Sequence, residues 1–302
     1  MHAPEQATYE GRALVRPDEE LADQGLAFDI ATILSRRGLL RAFGLGAAAV
    51  GLGACSSNAT SDTVSAPAAP TAGEIPEETA GPFPGNGSNG PDVLEQSGVV
   101  RSDVRTSFGD ATGTAGGVPM KLELLITDFA NGGRPFAGVA VYVWHCTREG
   151  GYSLYSDGIT DQNYLRGVQV ADAEGRVTFS SIVPGCYPGR WPHIHFEVYP
   201  DQASITDDST VIATSQVALP QEMCAAAYGQ EGYEASIGAL SDVSLASDGV
   251  FGDDGGASQL ATVTGAVSSG YAVSLSVGVD TSTTPTEGRG GRGGGPWGRP
   301  GG

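Results

Sequence analysis

Histidine is scarce in this chain, with four in 302 residues, so any imidazole-based site must draw on very few positions. Cysteine is equally sparse. Cys55 apart, Cys146, Cys186 and Cys224 allow at most one disulfide, and sequence does not choose among its three pairings. Basic residues are outnumbered, 16 Lys and Arg against 35 Asp and Glu, giving a net charge of -19. That balance argues against nucleic acid and anionic membrane surfaces as partners. No apolar run reaches the roughly 20 residues that a bilayer-spanning helix needs. After residue 55, no helical periodicity matches the strand-like runs in length.

What is present divides the chain into four stretches. Ser35-Arg36-Arg37 followed by the short apolar segment 42–52 reads as a twin-arginine export signal, and Leu52-Gly53-Ala54-Cys55 resembles a lipobox. Residues 1–55 are therefore expected to direct export. The mature protein would be secreted, or held at the outer face of the cell membrane by a lipid on Cys55. Residues 56–74, rich in Ser, Thr, Ala and Pro, read as a disordered tether. Residues 75–280 hold the folded domain, and 281–302 form a Gly/Arg-rich tail expected to be disordered. Three arginines in that tail are a weak nucleic-acid signal on so acidic a protein, and no function is assigned to it.

The domain is read as β-rich. Strand-like runs cover 120–126, 139–144, 169–170, 177–179, 194–198, 211–217 and 271–279, and Asn131-Gly132-Gly133-Arg134-Pro135 is turn chemistry. This pattern predicts an all-β fold, an antiparallel β-sandwich with long irregular loops.

The densest chemistry lies in 184–198. His193-Ile194-His195 sits in a strand with Ile194, Phe196 and Val198 at alternate positions, so both imidazoles share one face. Their Cα atoms would lie ~6.6 Å apart, within reach of a single metal ion. The bland alternative is a pair of polar residues on a solvated strand face. Tyr187 precedes His193 by six residues and Arg190 by three. Upstream stand Val143-Trp144, Gly151-Tyr152 and the run Asp172-Ala173-Glu174-Gly175, Phe179-Ser180-Ser181-Ile182 and Pro184-Gly185-Cys186-Tyr187.

Together, over roughly residues 75–225, these motifs resemble the intradiol ring-cleavage dioxygenases, relatives of catechol 1,2-dioxygenase and protocatechuate 3,4-dioxygenase. The resemblance implies a β-sandwich. It also implies a non-haem Fe(III) ion held by Tyr152, Tyr187, His193 and His195, with a catechol-type diol and O2 as substrates. Both oxygen atoms would enter between the hydroxyl-bearing carbons, giving a cis,cis-muconate-type diacid. Two tyrosinates are hard anions suited to a ferric ion, whereas a thiolate ligand is too soft. By the same resemblance Arg190 stabilises developing negative charge, Gln216 is a pocket residue, and Gly81 and Pro82 in Thr79-Ala80-Gly81-Pro82-Phe83 line the substrate pocket. Tyr187 is both ligand and base, the tyrosine that leaves when substrate binds. Gly189, where relatives carry a bulky residue, and the short Tyr187-to-His193 spacing leave room for a different or larger substrate. His145 matches no ligand position and is read as structural.

Two other readings stay open. A cupin-like metalloenzyme also carries His-x-His on β-structure, with a glutamate soon after and a distant third histidine. Glu197 shares the face of His195, but no histidine follows it. A non-catalytic β-sandwich binding module would have lost a ligand tyrosine, and none is lost here. Oligomeric state is not readable from the sequence.

Overall fold

A computed structural model of the chain describes residues 73–283 and the strand pair β1 (Thr8–Tyr9) and β2 (Arg12–Ala13). The chain divides into two units, Met1–Pro67 and Ala68–Gly302, and β1 and β2 belong to the first. The expected export signal at Arg36 and Arg37, the lipobox at Cys55, residues 56–72 of the tether and residues 284–302 of the tail lie outside the described residues.

The second unit is built on two sheets. One contains β3 (Pro119–Asp128), β4 (Arg134–Pro135), β7 (Arg176–Ile182), β10 (Thr262–Ala266) and β11 (Gly270–Val279). The other runs in the order β6 (Arg166–Val170), β5 (Ala140–Trp144), β8 (His193–Tyr199), β9 (Ala213–Ala218). Each main strand-like run of the sequence falls on one of these elements. In β3, Met120, Leu122, Leu124 and Ile126 are buried while Lys121 is exposed, the period-two pattern of a strand with one face inward. These residues join Phe179, Val273 and Val277 from their own sheet, and Val141, Val143, Ile194, Phe196, Val198 and Val217 from the other, in one core cluster.

The all-antiparallel expectation needs one correction. β11 pairs with β3 in parallel over nine residue pairs, from Tyr271↔Met120 to Val279↔Asp128. A parallel pair requires a long crossover, and the chain between β3 and β11 supplies one, passing through the whole second sheet. Two short helices also interrupt the β pattern, α1 (Gln221–Tyr228) and α2 (Glu234–Ser241). α1 buries Met223, Cys224, Ala227 and Tyr228, a helical stripe too short to stand out in the sequence. No helix among the described residues is long and apolar enough to cross a membrane.

The second sheet positions the site. β8 is buried along its whole length. Ile194, Phe196 and Val198 enter the main core, while His193, His195, Glu197 and Tyr199 occupy the opposite face. Irregular loops carrying Val93, Leu94, Val99 and Tyr152 pack with Tyr142, Trp144 and Tyr199 into a second apolar cluster over that face. The two histidines thus lie under loops rather than in solvent.

Candidate metal centre

Two imidazoles and two phenols converge over β8. His193 Nε2 is 3.1 Å from His195 Nε2 and 3.1 Å from Tyr187 Oη, and Tyr187 Oη is 3.3 Å from Tyr152 Oη. The histidines arrive by strand alternation. Tyr187 arrives on the loop before β8, and Tyr152 on the turn after β5, where its backbone N–H donates to Ser156 Oγ at 2.8 Å. His193 Nδ1 lies 2.5 Å from the Trp191 carbonyl, which can only accept. Nδ1 therefore carries the proton, and the Nε2 lone pair faces the cluster, as a metal-ligating histidine requires. His195 stacks on Trp144, its cross-strand partner, at 4.9 Å between ring centroids and 6° between planes.

The electrostatics point the same way. Burial pushes His193 and His195 well below the usual imidazole range, so both rings are neutral. Burial likewise pushes Tyr187 up to about 12 and Tyr152 well above the usual phenol range. Two such phenols stay protonated unless a cation is placed among them, which inverts the local preference. A hard, highly charged cation fits this donor set of two oxygens and two nitrogens. Among the described residues, no group of three or more His, Cys, Asp or Glu could hold a metal ion, so any centre at this site depends on the phenols.

Arg190 and Gln216 stand beside the cluster, joined to each other. Arg190 Nη2 donates to Gln216 Oε1 at 2.6 Å, and Gln216 Nε2 donates to the Thr79 carbonyl at 2.9 Å. Gln216 is fully buried and lies opposite His195 in the β8–β9 register. Strand pairing thus makes neighbours of residues 21 positions apart. Gly81 also reaches the cluster: at φ +71°, a Cβ there would lie 3.2 Å from His195 Cε1. Pro82 beside it is exposed, and Phe83 packs on Tyr152 at 4.9 Å.

Several supports carry no motif. Asp248 accepts from Arg190 Nε at 3.0 Å and from the Trp191 N–H at 2.7 Å. Arg166, buried, donates to Ser153 Oγ and O and to the Pro84 carbonyl, tying the Tyr152 turn to the segment that carries Phe83. Neither residue stands in a recognisable pattern; only the fold brings them in.

The competing candidates are accounted for. Both nitrogens of His145 are engaged, Nδ1 with the Cys146 carbonyl at 2.8 Å and Nε2 with Ser181 Oγ at 2.7 Å, so it is structural as read. Glu197 accepts from Asn86 Nδ2 and the Tyr199 hydroxyl, which commits the carboxylate a cupin-like centre would use. Cys146, Cys186 and Cys224 are buried free thiols.

Residues 89–203 match a protein-family model described as Dioxygenase. The chain is 42% identical over 55 residues to a chlorocatechol 1,2-dioxygenase of Rhodococcus opacus, covering 18% of this chain and 21% of that protein. It is 35% identical over 98 residues to the protocatechuate 3,4-dioxygenase beta chain of Burkholderia cepacia, covering 28% and 42%. It thus spans less than half the length of these curated relatives. In fold it is similar to an intradiol ring-cleavage dioxygenase from Tetranychus urticae, with a TM-score of 0.55 and 22% identity, covering 70% of this chain and 96% of that one.

Proposed function

Because this chain belongs to the intradiol dioxygenase family, we propose that it uses O2 to cleave a catechol-type diol between its two hydroxyl-bearing carbons, giving a cis,cis-muconate-type diacid. The cofactor of this reading is a non-haem Fe(III) ion held by Tyr152, Tyr187, His193 and His195. The observation that carries it is the convergence of four donor atoms at 3.1–3.3 Å spacings in a buried setting. A bound ferric ion would supply the electron withdrawal that opens the catechol ring carbon to O2.

The remaining work falls to the chain's own groups. Tyr187, half-buried on its Pro/Gly loop, is the ligand able to move and to take a substrate proton at Oη. Arg190 and Gln216 offer fixed donors beside the reacting oxygens, where they stabilise negative charge as it develops. Gly81 leaves space against His195, and Phe83 shields the Tyr152 side of the pocket from water. A core drawn from both sheets supports the β-sandwich arrangement. Export through the twin-arginine route and a lipid on Cys55 remain part of the proposal. Replacing Cys55 with Ala should then free the mature protein from membranes, and continued pelleting would refute the anchor.

The test is oxygen uptake by the iron-loaded protein with catechol. One O2 consumed per diol, with a ring-opened diacid as product, supports the assignment. An iron-loaded protein that consumes no oxygen with catechol or its chloro- and carboxy-substituted forms overturns it.

A further inference from the structure

Asp248 holds Arg190 in a way no sequence motif anticipates. Its carboxylate takes four donors: Oδ2 accepts from Arg190 Nε at 3.0 Å and Trp191 N at 2.7 Å, and Oδ1 accepts from Val250 N at 2.7 Å and Phe251 N at 3.0 Å. The carboxyl side chain is wholly buried. A carboxylate with four donors has each lone-pair direction used and little freedom to turn.

The consequence falls on the guanidinium. Nε and Nη2 form one edge of the planar fork, and that edge is spent on Asp248 and Gln216. Nη1 donates to none of the described residues, so one donor corner is left for a ligand. Gln216 continues the chain of bonds to the Thr79 carbonyl, and Thr79 Oγ1 accepts from the Gly81 N–H at 3.0 Å. One buried carboxylate thus fixes a path from Arg190 to the glycine that lies on His195.

Charge gives a second reason for Asp248. An arginine buried beside a metal cation meets like-charge repulsion and loses its hydration, and such a charge needs a partner. Asp248 supplies the compensating charge on the Nε edge. We propose that Asp248 is the positioning residue for Arg190: it aims the free corner of the guanidinium at bound substrate. This rests on the function proposed above, and the four donors to the Asp248 carboxylate all come from the protein.

The test compares Asp248→Asn, Arg190→Ala and the double variant as iron-loaded full-length protein. Visible spectrum, melting temperature, kcat and KM with catechol are recorded for each. Asp248→Asn is expected to keep its iron and visible band, to lower kcat about 10-fold, in the range for lost outer-sphere partners, and to change KM less. The double variant should be no slower than Arg190→Ala alone, since Asp248 acts through the arginine. Losses that multiply, or a kcat for Asp248→Asn within twofold of wild type, would overturn the inference. Asp248→Glu, which keeps the charge and displaces it by one methylene, takes its place if the Asn variant does not fold, under the same criteria. If the wild-type protein is coloured but consumes no oxygen, the proposed function has failed. The change that added catechol makes to the band then decides the inference: it stands if Asp248→Asn and Arg190→Ala alter that change alike, and falls if only Arg190→Ala does or if neither does.

Discussion

At the scale of single residues, the two tyrosines separate by burial. Tyr152 is 2% exposed, packed on Phe83 and pinned at its backbone, whereas Tyr187 is half-buried on a loop containing Gly189 at φ +82°. Under the proposed function a ligand that leaves when a diol binds needs that freedom, and the proposal assigns the move to Tyr187. In anaerobic mixtures with excess catechol, Tyr152→Phe should lose most of the tyrosinate absorbance of the substrate complex. Tyr187→Phe should retain it but bind catechol more slowly, having lost a base. The opposite pattern would exchange their roles. These tyrosines, the two histidines and Arg190 are legible in the sequence because each lies within a few residues of a motif. Gln216 becomes a neighbour of His195 only through strand register, and Asp248 and Arg166 only through packing, which no local spacing encodes.

At the scale of elements, the loop carrying Tyr187 is held by close backbone approach. A Cβ on Gly185 would lie 2.6 Å from the Arg148 carbonyl oxygen, and Gly185 N donates to the Thr147 carbonyl at 3.0 Å. The nearest atoms all belong to the Thr147–Arg148 backbone, so no side chain is there to give way. Gly185→Ala should therefore cost about 1–3 kcal/mol, the usual penalty for overpacking, and lower iron occupancy by displacing Tyr187. A variant with unchanged melting temperature and full iron content would contradict that contact. The strands of the sheet cores were readable because Val, Ile and Leu alternate along them, as in β3. α1 and α2 were not, since eight-residue helices rich in Ala, Gly and Ser give no long apolar period. β10 is mostly exposed and polar, and its place is set by pairing with β11. The parallel direction of β11 beside β3 depends on where the chain returns, which strand composition does not record.

At the scale of the whole molecule, His145 links stability to pH. Burial lowers its pKa to about 4 from 6.5, and both its ring nitrogens are engaged. The unfolded chain therefore takes up a proton first as pH falls. The contribution of His145 is complete above pH 6.5 and declines toward pH 4, by up to about 1.4 kcal/mol per pH unit. His145→Gln should be less stable at neutral pH, with its deficit narrowing across that window in denaturant titrations. A deficit constant from pH 7 to 4 would show that His145 does not titrate on unfolding. In the proposed function the two sheets and covering loops build a bis-tyrosinate ferric site, and the visible spectrum of the purified, iron-loaded protein tests that most directly. The expected result is a red-brown solution whose charge-transfer band disappears when iron is removed and returns when it is restored. A colourless protein carrying one iron per chain would contradict it.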